Sequence, residues 1–439
     1  MFMMLKALRK TGIVFFPAFD WAISPTHPER EERLLYTQDQ VREEGLTDIE
    51  GIIEYRVKQA SYDDIRRVHF CVPDESAIAS ESHLLAAGGC IVAADAVMTK
   101  EVESAFALVR PPGHHAMKIT HGNRGFCNIN IEAIMIEYIR DIYGVDKVAI
   151  VDTDCHHGDG TQDIFWHDPD TLFISMHQDG RTLYPGTGFP NETGGPNAQG
   201  ATINIPLPPG TGEEGFLYSL EELIIPILDN FQPEIIINSA GQDNHFTDPI
   251  TNMNFSARGY AMLNSRLRPD LAVLEGGYSV EGALPYINTG IIMAMAGLDL
   301  SNVKEPNYDE EYEPQDLKTT ETIELLISRL SKLYLKGEIS KKQYYSGELV
   351  KDSKTIYYDT DGIIETRNEV IRACSLCSGV WSIESSASIG NHVFAVHIPR
   401  KTCNACRAVG EKWFNDASLN KKFTNTYLQD REKKEFIIR

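Results

Sequence analysis

The chain has 439 residues, 42% of them hydrophobic and 24% charged, with a formal charge of −22. That length and ordinary apolar content predict one large globular domain with something smaller attached, or two domains. The acidic balance excludes a general phosphate-binding surface, so direct nucleic-acid binding is not expected; it would suit cationic ligands, although solubility alone also accounts for it.

In chain order, Met1–Lys10 is basic and Ile13–Phe16 apolar, but Pro17 and Asp20 cut the apolar run too short for a signal peptide. This segment reads as a first strand followed by a long loop, Phe19 to Arg30. No apolar stretch is expected to reach membrane-spanning length. Cys71, Cys90, Cys127 and Cys155 read as free intracellular thiols, and the expected compartment is the cytoplasm. Strand-like runs at Lys147–Val151, Thr171–Met176, Glu234–Asn238 and Leu271–Leu274 alternate with helix-like Glu132–Tyr143 and Glu214–Asn230. That alternation predicts an α/β fold with a largely parallel sheet. After Leu298, the acidic, proline-containing Glu305–Pro314 reads as a linker or surface strap. Glu321–Tyr334 reads as an amphipathic helix with Ile323, Leu326, Ile327 and Leu330 on one face, and a second short helix is expected from Ser340. Short strands around Thr355–Tyr358 and His392–His397 are assigned to a small C-terminal module with Trp381, Phe394 and Trp413 as its core. Lys421–Arg439 reads as a frayed or helical end. The expected division is a catalytic domain over 1–300, an acidic linker with helices over 301–350, and the module over 351–439.

The densest chemistry lies in Val151-Asp-Thr-Asp-Cys-His-His-Gly-Asp-Gly-Thr161, directly after a strand-like run. Asp154 and His156 are two apart, so in an extended chain their side chains point to the same side. A carboxylate and an imidazole converging from one strand end make a large part of a catalytic zinc site. Arg110-Pro-Pro-Gly-His-His-Ala116 follows another apolar run; His114 and His115 could bind metal, or act as general base and electrostatic partner, each oriented by a carboxylate. Asn238–His245 places Asp243 to supply a third ligand, although an Asp after a strand is also a common helix cap. In Leu274-Glu-Gly-Gly-Tyr278 two glycines let the backbone approach a ligand and aim Tyr278 into a cleft. Each cluster follows a strand, and their convergence on one sheet edge is more specific than any one alone. Cys374-x₂-Cys377-x₂₅-Cys403-x₂-Cys406 is a structural-zinc pattern, with two redox CxxC pairs as the alternative.

Taken together with Gly125-Phe-Cys127, Ser175-Met-His177, Tyr184-Pro-Gly186 and Asp248-Pro249, these pieces resemble the arginase/deacetylase superfamily. Within it they are most similar to the histone deacetylase and acetylpolyamine amidohydrolase family, over about residues 10–298. The forms Arg110-Pro-Pro-Gly and Glu275-Gly-Gly-Tyr look more like its class II and bacterial branch. The resemblance implies a three-layer α/β/α domain, to which the cysteines would add a small zinc-ribbon-like module. It implies catalytic Zn²⁺ on Asp154, His156 and Asp243, with His115 as general base and later acid and His114 as electrostatic partner. Asp152 would orient His114, Asp159 would orient His115, and Tyr278 would donate to the oxyanion. The implied channel is lined by Gly125, Phe126, Tyr184, Ile250 and Gly277. A K⁺ ion is implied on backbone oxygens of Asp152, Asp154 and His156, with Ser175 and Met176. The implied reaction is hydrolysis of an acetyl (acyl) amide on a lysine side chain or a polyamine.

Departures from the family pattern carry information. Tyr184 stands where the family usually has a second Phe. Ile250 stands where the polyamine-preferring branch has a Glu, which lowers a polyamine preference without removing it. Loop acids Asp74 and Glu75, or Glu29, Glu31 and Glu32, could still hold a cationic amine, with ordinary surface charge as the plainer reading. Two rivals stand beside the deacetylase: a catalytically silent acyl-lysine scaffold, which needs no general base, and an arginase-like ureohydrolase, which needs two manganese ions and more carboxylates. The C-terminal module could cover the active-site rim, mediate self-association as a homo-oligomer or bind a partner, and the sequence does not choose.

Overall fold

The computed structural model describes residues 5–339 and 341–439. In chain order the first ten strands are β1 (Lys6–Phe16), β2 (Glu50–Tyr55), β3 (Phe70–Cys71), β4 (Ser104–Val109), β5 (Ile119–Thr120), β6 (Val148–Asp152), β7 (Thr171–Gln178), β8 (Thr202–Leu207), β9 (Ile235–Ser239) and β10 (Leu271–Val273). Eight of them form one sheet in the order β2-β1-β4-β10-β9-β6-β7-β8, and every pairing in it is parallel. The inner strands are buried along their whole length and mostly apolar, because both faces are covered. Alternation still decides which face each residue serves: Ala149 and Val151 pack into one core and Val148 and Ile150 into the other.

Helices Glu81–Met98 and Ile131–Tyr143 cover one face. Helices Ala257–Leu267, Leu284–Met295 and Leu317–Tyr334 cover the other, together with the Glu213–Phe231 stretch, which contains a π turn at Leu220–Ile224. This is the three-layer α/β/α arrangement. Contrary to the sequence expectation, helix Glu81–Met98 does reach the length and mean hydropathy (1.2) of a membrane span, but 72% of it is buried as a core helix. Helix Leu317–Tyr334 begins four residues before the expected Glu321, because Asp316 caps it by accepting from Thr319 N at 2.9 Å. The short helix expected from Ser340 is not found over 341–345; Ser340 itself lies outside the described residues. The acidic stretch is anchored, since Glu305 is buried and holds His245 Nε2 at 3.1 Å.

The C-terminal part is a second sheet: β11 (Leu349–Tyr358), β12 (Ile363–Arg372), β13 (Val380–Ala387), β14 (His392–Ile398), β15 (Asn425–Asp430) and β16 (Glu435–Ile438), in that spatial order. Only β14 and β15 run parallel within it, joined by helix Asn404–Ser418. The charged end expected to fray or coil into a helix is therefore two strands, because Tyr427 and Leu428 find buried places in this sheet. Trp381, Phe394 and Trp413 do not share one core. Trp381 joins Phe70, Val72 and Ile119 of the catalytic domain, whereas Phe394 and Trp413 pack with the four cysteines beneath the helix. The sheet thus has one face for its own helix and one for the catalytic domain. Arg367, fully buried, seals the second contact, reaching Asp163 at 2.7 Å and Glu365 at 2.9 Å, while Lys354 reaches Asp163 at 2.5 Å.

Candidate active site

The four chemical clusters leave the C-terminal ends of β4, β6, β9 and β10, which are neighbours in the order β4-β10-β9-β6. Parallel strands bring all these ends to one edge, where open α/β sheets bind ligands. Asp154, His156 and Asp243 meet there, all buried, with their donor atoms within 4.8 Å of one another. His156 Nδ1 lies 2.8 Å from Asp243 Oδ2 and 3.3 Å from Asp154 Oδ1. Backbone N–H groups hold the carboxylates in place: Gly276 N and His156 N donate to Asp154, and Cys155 N donates to Asp243. The cradle requires glycine, since a Cβ at Gly241 would come within 1.9 Å of Asp154 Oδ2. Buried carboxylates around one imidazole form a donor set that a divalent cation satisfies.

His114 and His115 sit beside this group and are held differently. His114 Nδ1 faces Asp152 Oδ2 at 3.2 Å, and its Nε2 lies 3.8 Å from Asp154 Oδ1. Burial opposes its charging, but Asp154 and Asp152 together hold its pKa well above the ordinary imidazole value. His115 Nδ1 faces Asp159 Oδ1 at 2.8 Å, and Asp159 is also gripped by Arg124 at 2.7 Å. Burial, then the charges of His114 and Arg124, push the His115 pKa well below the ordinary value. The result is one imidazole suited to carry charge and one suited to stay neutral and take a proton. The backbone N–H groups of Gly113 and His114 both donate to Glu275 Oε2, at 2.7 and 3.0 Å, tying the histidine loop to the Glu-Gly-Gly-Tyr loop.

Above the cluster opens a cavity of about 280 Å³ lined by His114, His115, His156, Gly125, Phe126, Tyr184, Ile250, Gly276 and Tyr278, with Pro112, Leu183 and Asp359. The Phe126 and Tyr278 rings meet edge to face at 5.6 Å, and Tyr184 stands 5.2 Å from His115. Gly125 has a φ of +52°, and a Cβ there would lie 2.4 Å from the His115 ring, so the wall needs glycine at that point. Gly276 rather than Gly277 lines the cavity; the Gly277 carbonyl turns away to accept from Arg33 Nε at 2.7 Å. Of the residues expected to hold K⁺, Asp152 pairs with Ser175 across β6 and β7, with Met176 next along β7.

The loop acids named from sequence do not reach the cavity. Glu29 is fully buried between Arg33 and Arg110, 2.8 Å from each. Asp74 caps helix Glu75–Ile78, Glu75 pairs with Arg66, and Glu31 and Glu32 are exposed on a short helix. Arg33 is a functional neighbour that the sequence reading missed: its guanidinium lies 5.0 Å from the centre of the Tyr278 ring. Asp248, named in the sequence only as part of the Asp248-Pro249 motif and given no role there, is a second: it accepts from Tyr278 N at 2.8 Å and is pushed up to about 8 by burial and Asp243. Asp359, from the C-terminal sheet, is the third, and its sequence carried no signal because the wall it joins is assembled only on docking.

The four cysteines come together as expected. Their sulfurs lie within 4.8 Å of one another, and Cys374 and Cys403 are 3.9 Å apart. A tetrahedron with Zn–S bonds of about 2.3 Å has edges of about 3.8 Å, so the cluster fits a zinc-binding module and is far too open for disulfides. Arg372 Nη1 and the backbone N–H of Gly379 approach Cys406 and Cys377 at 2.9 and 3.3 Å, as suits thiolates.

Fold and site together define a three-layer α/β/α protein with a metal-capable centre at the base of an apolar cavity. The histone deacetylase domain profile matches residues 73–293. A probable deacetylase of Archaeoglobus fulgidus is 48% identical over 333 residues, covering 70% of this chain and 90% of that protein. A histone deacetylase-like amidohydrolase of Pseudomonas aeruginosa is 34% identical over 234 residues, covering 51% of this chain and 60% of that protein. The crystal structure of the HDA15 HD domain superposes with a TM-score of 0.63 at 25% identity, covering 75% of this chain and 96% of that one. The chain belongs to the histone deacetylase family.

Proposed function

We propose that this protein is a zinc-dependent deacetylase that hydrolyses the acetyl amide of a lysine side chain or an acetylated amine. The observation that carries this reading is the pair of buried dyads, His114–Asp152 and His115–Asp159, standing beside Asp154, His156 and Asp243 at the base of one cavity. Asp154, His156 and Asp243 would hold the Zn²⁺, which supplies a Lewis acid for the amide carbonyl and acidifies a water. His115, kept neutral, takes the proton of the attacking water and returns it to the departing amine. Asp159, itself fixed by Arg124, aims the ring. His114 carries positive charge beside the reacting atoms. Tyr278, backed by Arg33 and by Asp248 on its N–H, donates to the developing oxyanion. Phe126 and Tyr184 flank the methylene chain of the substrate. A K⁺ ion on the backbone oxygens of Asp152, Asp154 and His156, with Ser175 and Met176, is part of the same proposal.

Among the described residues only this triad and the four cysteines gather three or more metal-binding side chains, which favours one catalytic metal over the paired metals of a ureohydrolase. The two histidine–aspartate dyads, one of which supplies a neutral general base, favour an enzyme over a silent scaffold. The test is hydrolysis of a fluorogenic acetyl-lysine substrate by zinc-loaded protein. Tyr278→Phe is expected to lower kcat by about 10²–10³-fold with little change in KM, and His115→Ala to lower it by at least about 10²-fold. Activity that survives both substitutions, or wild-type protein that holds its metal and turns over no acyl amide, would overturn the reading.

A further inference from the structure

The apolar wall of the cavity is broken by one carboxylate, and the catalytic sheet does not supply it. Asp359 sits at the tip of the β11–β12 hairpin, half-buried, and lines the cavity with Phe126, Leu183, Tyr184 and Ile250. Its Oδ1 accepts from Gly125 N at 3.0 Å and from the Tyr184 hydroxyl at 2.9 Å. Both bonds use the same oxygen, and no hydrogen bond to Oδ2 is found among the described residues. No other carboxylate, and no Lys or Arg, belongs to the lining. The nearby guanidinium of Arg124 lies behind the Tyr184 ring and is committed to both oxygens of Asp159, at 2.9 and 2.7 Å. At the same hairpin tip Asp361, exposed, adds a second negative charge while accepting from Asn123 N at 2.6 Å.

The hairpin is rigidly seated. The Tyr358 hydroxyl donates to Ile119 O at 2.8 Å, and Met117 packs among Ile356, Tyr358, Ile363 and Ala387. A carboxylate held this way, with one oxygen saturated and the other open beside apolar walls, is pre-ordered to accept a strong donor. In such a partly dry setting a cation gains far more from it than a neutral donor does.

We propose that Asp359 is a specificity-determining residue that selects substrates carrying a second, cationic group on the amine side of the acetyl amide. The proposal rests on the deacetylase reading above and deepens it by naming the substrate class, a mono-acetylated diamine or a related ammonium-bearing amide. Tyr184 stands between Asp359 and His115, so Asp359 reads the substrate and does not take part in the proton transfers. Ile250, on the catalytic-domain side of the same wall, is apolar. Here the charge comes from a different sheet, and the C-terminal module is thereby part of the substrate site.

The test compares acetylputrescine with its alcohol analogue, in which a hydroxyl replaces the ammonium, on the full-length zinc-loaded protein. Asp359→Asn keeps an acceptor oxygen for Gly125 N and the Tyr184 hydroxyl and removes only the charge. Wild-type protein is expected to prefer the cationic amide in kcat/KM. Asp359→Asn is expected to reduce that preference about tenfold, through KM, with the alcohol analogue changed by less than about threefold. Asp359→Lys is expected to reverse it in favour of acetylated 4-aminobutyrate. Calorimetric binding of putrescine, weakened in Asp359→Asn, reads the same charge without turnover. Equal loss for both substrates would show Asp359 to be a prop for Tyr184 and overturn the proposal. So would an unchanged ratio or unchanged putrescine binding. Absence of turnover of both amides and of acetyl-lysine by wild-type protein would instead refute the deacetylase reading, while putrescine binding still reports on Asp359.

Discussion

Gly276 offers a direct way to ask whether Asp154 and Asp243 hold a metal. A Cβ at this position would lie 2.4 Å from Asp243 Oδ2 and 2.6 Å from Asp154 Oδ2. Ordinary contact requires about 3.5 Å, so Gly276→Ala drives both carboxylates back by about 1 Å. Metal sites tolerate ligand displacements of only about 0.2 Å. Gly276 does not occupy the left-handed region, so alanine brings no backbone strain and the effect is confined to the ligands. Loss of a mere outer-shell partner weakens a metal site about 10–100-fold. Moving two ligands is expected to do at least that, a loss of at least about 1.4–2.8 kcal/mol. The assay is zinc competition against a chromogenic chelator. Wild-type protein should show a catalytic zinc and a cysteine-bound zinc, and Gly276→Ala should lose the first while keeping the second. The thermal transition of the C-terminal module should be unchanged. Wild-type zinc stoichiometry and affinity in Gly276→Ala would show that the triad is not the metal site.

The contact between the two sheets is expected to be acid-labile. Burial would raise the Glu369 carboxyl, but Lys354 at 3.2 Å, His167 at 3.8 Å and Arg367 at 3.6 Å carry it from 4.5 down to about 2. Asp163 is likewise held well below the carboxylate range against its burial, chiefly by Arg367 and Lys354. A depressed carboxyl stabilises the fold fully above its unfolded value and loses that contribution as pH falls toward its folded one. Melting temperature should therefore hold near neutrality and fall as pH drops from 4.5 toward 2, and Glu369→Gln should flatten that limb; parallel profiles would contradict it. Cys406→Ser should release the cysteine-bound zinc, read with a metal-sensitive dye, and lower stability by at least about 2 kcal/mol while the catalytic zinc stays. Retention of both zincs would remove the four cysteines as a site.

Much of the catalytic centre could be read from the sequence because its parts are local. Asp154 and His156 share a strand end, so their convergence follows from backbone geometry alone. The four clusters each follow an apolar run, and parallel strands must bring such ends to one edge. The cysteine spacing likewise sets its own geometry. The parts that escaped are those whose partners lie far along the chain. Glu29 reads as a surface acid until the fold sets it between Arg33 and Arg110. Tyr427 and Leu428 sit in a charged tail and become a strand only because β14 offers an edge. Asp359 becomes part of the cavity only when β11 and β12 dock against Met117 and Ile119. Sequence by itself determined the α/β class and the convergence of Asp154 with His156, since strand alternation and short spacings are local properties. The third ligand Asp243 and the pairing of His114 with Asp152 and of His115 with Asp159 followed instead from the family resemblance, because those partners lie 38 to 87 residues apart. Tertiary structure alone decided that the second sheet forms a wall of the substrate cavity, because that placement depends on buried contacts between segments that no local pattern relates.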